Sequence, residues 1–266
     1  LLAELKRSYC NFCQNPDGRI FFAIPYEDDF TLIGTTDADH NGSLDNVSAT
    51  TEEIAYLCES AAAYFKQQLT PADVIYSYAG VRPLVDDGSG KPETASRGYH
   101  FDVDADEQGA APILSVFGGK ITTYRHLAES AVGKLAAFLP MLAGEGWTDK
   151  KPLPGGDFPM SGASALAAEI ARKYAFLPET LIKRVVRSYG TRSYDWLATA
   201  TSLADLGEDF GHGLFAVEVD YLMAKEWARS ADDILWRRSK LGLRFSKAEI
   251  GALEAYVSTK AGHELV

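Results

Sequence analysis

Apolar positions follow two rhythms along this chain, and the change between them divides it. In the first half, short alternating runs predict strands at Arg19–Ile24 and Thr31–Thr35. The polar segment Tyr26-Glu-Asp-Asp-Phe30 joins them as a hairpin. Further strands are expected at Val74–Ala79, Tyr99–Val103 and Pro112–Phe117, the last running into Phe117-Gly-Gly as a buried strand. One amphipathic helix interrupts them. Thr50 or Thr51 caps it, Ile54, Leu57, Cys58, Ala61, Phe65 and Leu69 recur at helical spacing, and Pro71 ends it. A second helix is predicted from Thr122 to Leu139, with Leu127, Ala131, Leu135 and Phe138 on its buried face. The opening residues are harder to place: Leu1–Arg7 has helical character and Asn15-Pro-Asp-Gly18 is a turn.

After Trp147 the strands stop. Thr148-Asp-Lys-Lys-Pro-Leu-Pro-Gly-Gly156 has the composition of a linker. Helices are then expected at Ala163–Tyr174, Pro178–Tyr189, Tyr194–Ala200, Val217–Ser230, Ala231–Lys240 and Ser246–Lys260. Ser246 and Glu249 form a capping box for the last of these. The pattern therefore predicts an α+β region over 1–148, a linker over 149–160 and an all-helical region over 161–266.

The chain has 266 residues and a formal net charge of −11. That balance argues against nucleic acid as a partner, which needs a basic footprint. No apolar run approaches the length of a membrane span. The chain opens on Leu1 and shows no signal pattern, so it reads as starting inside a longer protein. Three cysteines point to a reducing compartment. Cys10-Asn-Phe-Cys13 has no second pair or nearby histidines to complete a zinc site, and Cys58 is expected in the core.

Ser115-Val-Phe-Gly-Gly-Lys-Ile-Thr-Thr-Tyr-Arg125 is the most informative segment. A strand, a Gly118-Gly119 turn and a helix start aim backbone N–H groups, Lys120 and the Thr122 and Thr123 hydroxyls at one spot. Such a spot favours an anion or an electron-rich ring. The same residues also suit a tight turn with a threonine cap and a solvated lysine. In Gly80-Val-Arg-Pro83, Pro83 restricts Arg82 to extended geometry at a strand end. Arg82 can then grip a phosphate or carboxylate, or pair with Asp86 or Asp87. Arg97 and Arg125 read as surface cations, and Thr35-Thr36-Asp37 as a polar strand end or a site edge. Asp205-Leu-Gly-Glu-Asp-Phe-Gly-His212 lacks the ligand pattern of a calcium or zinc site, so no metal is expected. Trp227, Ala231, Ile234, Leu235 and Arg238 suggest a packing face.

Tyr78-Ala-Gly-Val-Arg-Pro-Leu84, the Ser115–Arg125 segment, Asp205–His212 and Ala231-Asp-Asp-Ile-Leu-Trp-Arg-Arg238 occur in that order, after Ile33-Gly-Thr-Thr-Asp37. As an ordered set they resemble the C-terminal portion of the bacterial FAD-dependent glycerol-3-phosphate dehydrogenases, from about Arg19 to Gly262. The resemblance implies a partial flavin and substrate-binding domain like that of the D-amino acid oxidases, followed by a helical domain. It implies oxidation of sn-glycerol 3-phosphate to dihydroxyacetone phosphate, with electrons passing to quinone. It further implies cytoplasmic placement, peripheral on the inner face of the membrane, and a possible homodimer. Arg82 matches the substrate-phosphate arginine, Arg97 joins it at the substrate, and Lys120 lies near substrate and flavin. Gly118, Gly119, Lys120, Ile121 and Thr122 match the turn under the pyrimidine edge of the flavin. No G-x-G-x-x-G opens a βαβ unit, so the rest of FAD has no evident home and the chain alone is expected to be inactive. Two other readings stay open: a glycerophosphate oxidase fragment using oxygen, and a non-catalytic helical interaction or dimerisation module.

Overall fold

In the computed structural model of the protein, the described residues are 2–3, 9–36, 38, 40, 42–81, 98–105 and 111–263. The chain forms two compact units, Leu1–Asp149 and Lys150–Val266.

The first unit holds an antiparallel sheet in the order β1-β4-β3-β2, built from Leu2–Ala3, Asn11–Gln14, Ile20–Tyr26 and Phe30–Gly34 (β1 to β4). The expected hairpin is β3–β4, with Tyr26 opposite Phe30. Leu2–Ala3 pairs with β4 and is strand, not helix, because β4 offers it an open edge. Helix α1, Thr51–Tyr64, is capped by Thr50 in a capping box with Glu53. It packs on the sheet through Ala61, with Phe65 and Leu69 following it, against Cys13, Phe21 and Ala23. Cys58 is buried, as expected. Cys13 faces inward and Cys10 outward, so the C-x-x-C pair does not share one environment.

Beyond Pro71 the expected strand Val74–Ala79 does not form: 74–81 runs without a ladder partner among the described residues. Strands β5, Tyr99–Asp104, and β6, Ile113–Gly118, make a separate two-stranded antiparallel sheet. Here β6 departs from expectation. Among the described residues it pairs with one strand, and Ile113, Val116 and Phe117 are exposed. Helix α2, Tyr124–Leu135, is shorter than predicted and buries none of its residues. Leu127, Ala131 and Leu135 are half-buried, and Phe138 lies beyond the helix, exposed.

The second unit is helical throughout: α3 Ala163–Lys173, α4 Glu179–Tyr189, α5 Ser193–Leu197, α6 Ala216–Lys225, a π-helical segment Asp233–Arg238 and α7 Lys247–His263. Its core is dense, with Ile170, Val185, Leu214, Leu222, Ile234 and Leu253 fully buried. Five of them lie on helices or the π-helical segment and Leu214 on the loop before α6, and burying such apolar side chains together is the main stabilising term. The Pro-Gly-Gly stretch preceding α3 is fastened to this unit, since Thr191 N–H donates to the Gly155 carbonyl at 3.0 Å. One predicted helix, Val217–Ser230, breaks. α6 ends at Lys225, and Trp227 takes a left-handed φ of 58°. The Arg238 guanidinium stabilises the break by donating to the Glu226 carbonyl at 2.9 and 2.6 Å. Trp227 is therefore exposed, while Ala231, Ile234 and Leu235 pack inward as expected.

A charged network crosses this core. Arg184 on α4 donates from two nitrogens to both carboxylate oxygens of Glu218 on α6, at 2.6 and 2.7 Å. It also donates to the Gly213 carbonyl at 2.6 Å, and the Tyr189 hydroxyl donates to Glu218 at 2.6 Å. Glu218 is 0 % exposed. Burial works against the charge on Arg184, but Glu218 more than offsets it and the guanidinium is held firmly protonated. Burial and the same carboxylate push the Tyr189 phenol well above its ordinary range. Removing one member leaves the other charge buried and unpaired. Glu218→Ala should destabilise the helical unit by about 3–5 kcal/mol, and Arg184→Met/Glu218→Leu should cost much less. Urea unfolding followed by circular dichroism measures both.

Candidate flavin-facing turn

The strand–turn–helix predicted around Gly118 forms between β6 and α2. Tyr99 pairs with Gly118 across the two strands, and Gly119 N–H donates to the Gly98 carbonyl at 3.0 Å. Gly118 and Gly119 adopt φ of 72° and 106°, the left-handed region where side chains are strained. A Cβ on Gly119 would also sit 3.0 Å from Leu127 Cδ1. The chain thus turns onto α2 only because both residues are glycine. A single 3₁₀ turn, Ile121–Thr123, leads into α2, with Lys120 at its N-cap.

The turn presents donors. Thr123 N–H is bonded to the Lys120 carbonyl at 3.0 Å. The amides of Lys120, Ile121 and Thr122 are first-turn donors with no intrahelical acceptor, and no partner accepts from them among the described residues. The Lys120 and Thr122 side chains are exposed. Ile121 is 86 % exposed, an apolar side chain beside the donors. Two bare glycines, free amides, a cation and an apolar face together fit one edge of a flavin ring, whose electron-rich side needs donors and whose plane needs close backbone approach.

Helix α2 lies against the turn through Leu127, whose Cδ1 is beside Gly119, and against β5 through Ser130, whose hydroxyl lies 3.4 Å from the Tyr99 hydroxyl. Lys134 Nζ stands 5.8 Å from the Phe101 ring centre. On its other side, Arg125 NH1 donates to Glu129 Oε1 at 3.2 Å and to Thr148 Oγ1 at 3.4 Å, and Thr148 donates to the same Glu129 oxygen. The Thr148 hydroxyl, with Arg125 next, holds the Glu129 carboxyl below its usual range. Arg125 is therefore half-buried and partnered, not a solvated surface cation. The Arg125/Glu129 spacing of four was the signal that the sequence offered for it.

Of the other expected site residues, Arg82 and Arg97 lie outside the described residues, as does Asp37. Thr36 donates to Glu53 Oε1 at 2.8 Å, so it helps fasten β4 to the start of α1. In Asp205–His212, Asp205 accepts from the Thr201 and Ser202 amides at 2.8 and 2.9 Å, which makes it a cap. Among the described residues, no group of three His, Cys, Asp or Glu is placed to hold a metal ion. No described helix is long and apolar enough to cross a membrane.

Similarity to known proteins bears on the same regions. Residues 2–125 match the family described as FAD dependent oxidoreductase. Residues 147–263 match the C-terminal domain of alpha-glycerophosphate oxidase. Each match takes in just under half of the chain, and together they take in most of it. It is 50 % identical over 250 residues to a glycerol-3-phosphate dehydrogenase of Pseudomonas aeruginosa, an alignment covering 94 % of this chain and 48 % of that protein. It is 46 % identical over 230 residues to the aerobic glycerol-3-phosphate dehydrogenase of Escherichia coli, covering 86 % and 45 %. A D-erythritol 1-phosphate dehydrogenase of Brucella abortus is 45 % identical over 239 residues, covering 90 % and 47 %. The chain spans about half the length of these relatives. The resemblance seen in the sequence motifs is thus matched across both units, and the fold is mixed α and β in the first and helical in the second.

Proposed function

We propose that this chain is the C-terminal part of a flavoenzyme that oxidises sn-glycerol 3-phosphate to dihydroxyacetone phosphate and passes the electrons to quinone. Residues 1–148 are read as a partial FAD and substrate-binding domain whose nucleotide-binding half lies elsewhere in the protein, 149–160 as a linker and 161–266 as a helical C-terminal domain. The exposed Ile113, Val116 and Phe117 support a domain that needs more protein to cover it. The observation that carries the reading is the Gly118–Thr122 turn, with its free amides and exposed Lys120.

FAD, when bound, would supply the hydride acceptor for C2 of the substrate. The residues of this chain do the electrostatic work around it. The amides of 120–122, with Lys120, would supply fixed donors at the electron-rich edge of the flavin ring. In an acidic chain of net charge −11, a substrate phosphate needs local cations. Arg82 is assigned to the phosphate, with Arg97 and Lys120 beside it. This phosphate grip serves any small polyol phosphate, which accommodates the D-erythritol 1-phosphate enzyme among the relatives. We read the complete enzyme as cytoplasmic and peripheral on the inner membrane face. An oxidase using oxygen shares this first half-reaction, and peroxide yield against quinone reduction separates the two.

Two outcomes test the assignments in the complete enzyme. Arg82→Ala should lower kcat/KM for glycerol 3-phosphate at least about tenfold, since a charged hydrogen bond contributes about 1.5–3 kcal/mol. An unchanged value makes the arginine structural. Lys120→Ala removes a cation worth about 1 kcal/mol to the reduced ring. It should lower the flavin potential by on the order of 20 mV for a two-electron couple. Spectroelectrochemistry showing no shift removes Lys120 from the cofactor.

A further inference from the structure

Helix α2 carries an ion pair whose polarity is the reverse of what helps a helix. Arg125 stands in the first turn, at the positive helix end, and Glu129 follows one turn later. A cation there is unfavourable with the helix dipole, and the order Arg then Glu is the weaker one for pairs four apart. Local helix stability does not account for this arrangement.

Its geometry does suggest a purpose. Side chains in a helix lean toward the N-terminus. An unrestrained Arg125 therefore points toward the Lys120–Thr122 mouth. Instead its guanidinium is drawn the other way by Glu129 Oε1 at 3.2 Å and Thr148 Oγ1 at 3.4 Å. His126 Nε2 stands 3.1 Å from its second terminal nitrogen. Thr148 closes the arrangement by donating to the same Glu129 oxygen. A Cβ at Gly146 would come within 3.0 Å of that oxygen, so the chain passes close over Glu129 just before the first unit ends at Asp149.

We propose that Glu129 is a positioning residue for the flavin-facing turn: with Thr148 it holds the Arg125 guanidinium along α2 and away from the helix mouth, leaving Lys120, among the described residues, as the cation presented there. This rests on the reading of that turn given above. Two adjacent cations at the mouth would bind any anion more tightly and stabilise reduced flavin further. Glu129 thereby sets the field at the ring without touching it.

The test uses the complete flavoprotein and the flavin midpoint potential. Glu129→Ala should shift the potential to more positive values. The shift should be at least twice as large with Arg125 present as in an Arg125→Ala background, because most of it comes from the released guanidinium. Thr148→Val leaves the charge unchanged and should shift the potential in the same direction by less. It also provides the readout if Glu129→Ala does not fold. An unchanged potential in these variants, or a Glu129→Ala shift that is the same with and without Arg125, overturns the proposal. Lys120→Ala measured alongside separates the two ideas: if it lowers the potential while the Glu129 and Thr148 variants do nothing, the turn keeps its assignment and only the role of Glu129 fails.

Discussion

Two consecutive residues in left-handed backbone set the geometry on which the functional account depends. Gly118 and Gly119 reverse the chain between β6 and α2 with φ of 72° and 106°. The reversal leaves three amides open at the start of a helix and Lys120 at its mouth. Any side chain at these positions would meet strained backbone, and at Gly119 it would also press on Leu127. The bare surface that a flat ring could approach and the electropositive end that would stabilise its charge therefore have one cause. Seating of α2 on Tyr99 and Phe101 then fixes where that end points.

The two units differ in how they are held. The helical unit closes a continuous core around Val185, Leu222 and Ile234 and threads one buried ion pair, Arg184–Glu218, through it. Such a pair contributes little net stability, but it is intolerant of a missing partner and so favours one helix arrangement. The first unit is looser. Its compact part is α1 on the four-stranded sheet, whereas the β5–β6 sheet and α2 bury little and show apolar side chains to solvent. The chain spans about half the length of the relatives it matches.

Much of this was legible in the residues because the signals were local. Capping boxes at Thr50 and Ser246, the β3–β4 hairpin and the glycine turn each follow from a few neighbouring side chains. What escaped depends on distant partners. The strand at Leu2–Ala3 exists because β4 has an edge to offer, and Val74–Ala79 has no ladder among the described residues although it alternates like a strand. The break at Trp227 could not be read from helix propensity, since Arg238, eleven residues on, stabilises it through the Glu226 carbonyl. Buried faces on β6 and α2 were expected from periodicity, but periodicity reports which side chains seek cover and not whether cover is present. The glycine turn with Lys120 beside it was legible as motif chemistry, whereas Arg82 lies outside the described residues. The restraint on Arg125 was not, because Thr148 meets it only in the fold.

The central claim is that the amides opening α2 face the flavin. Hydrogen exchange of the complete protein, with and without FAD, reports on them directly. The account predicts that exchange at Lys120, Ile121 and Thr122 slows at least about tenfold when FAD binds, while exposed amides elsewhere on α2 stay unchanged. Equal exchange at these three positions in the apo and FAD-bound protein would contradict it.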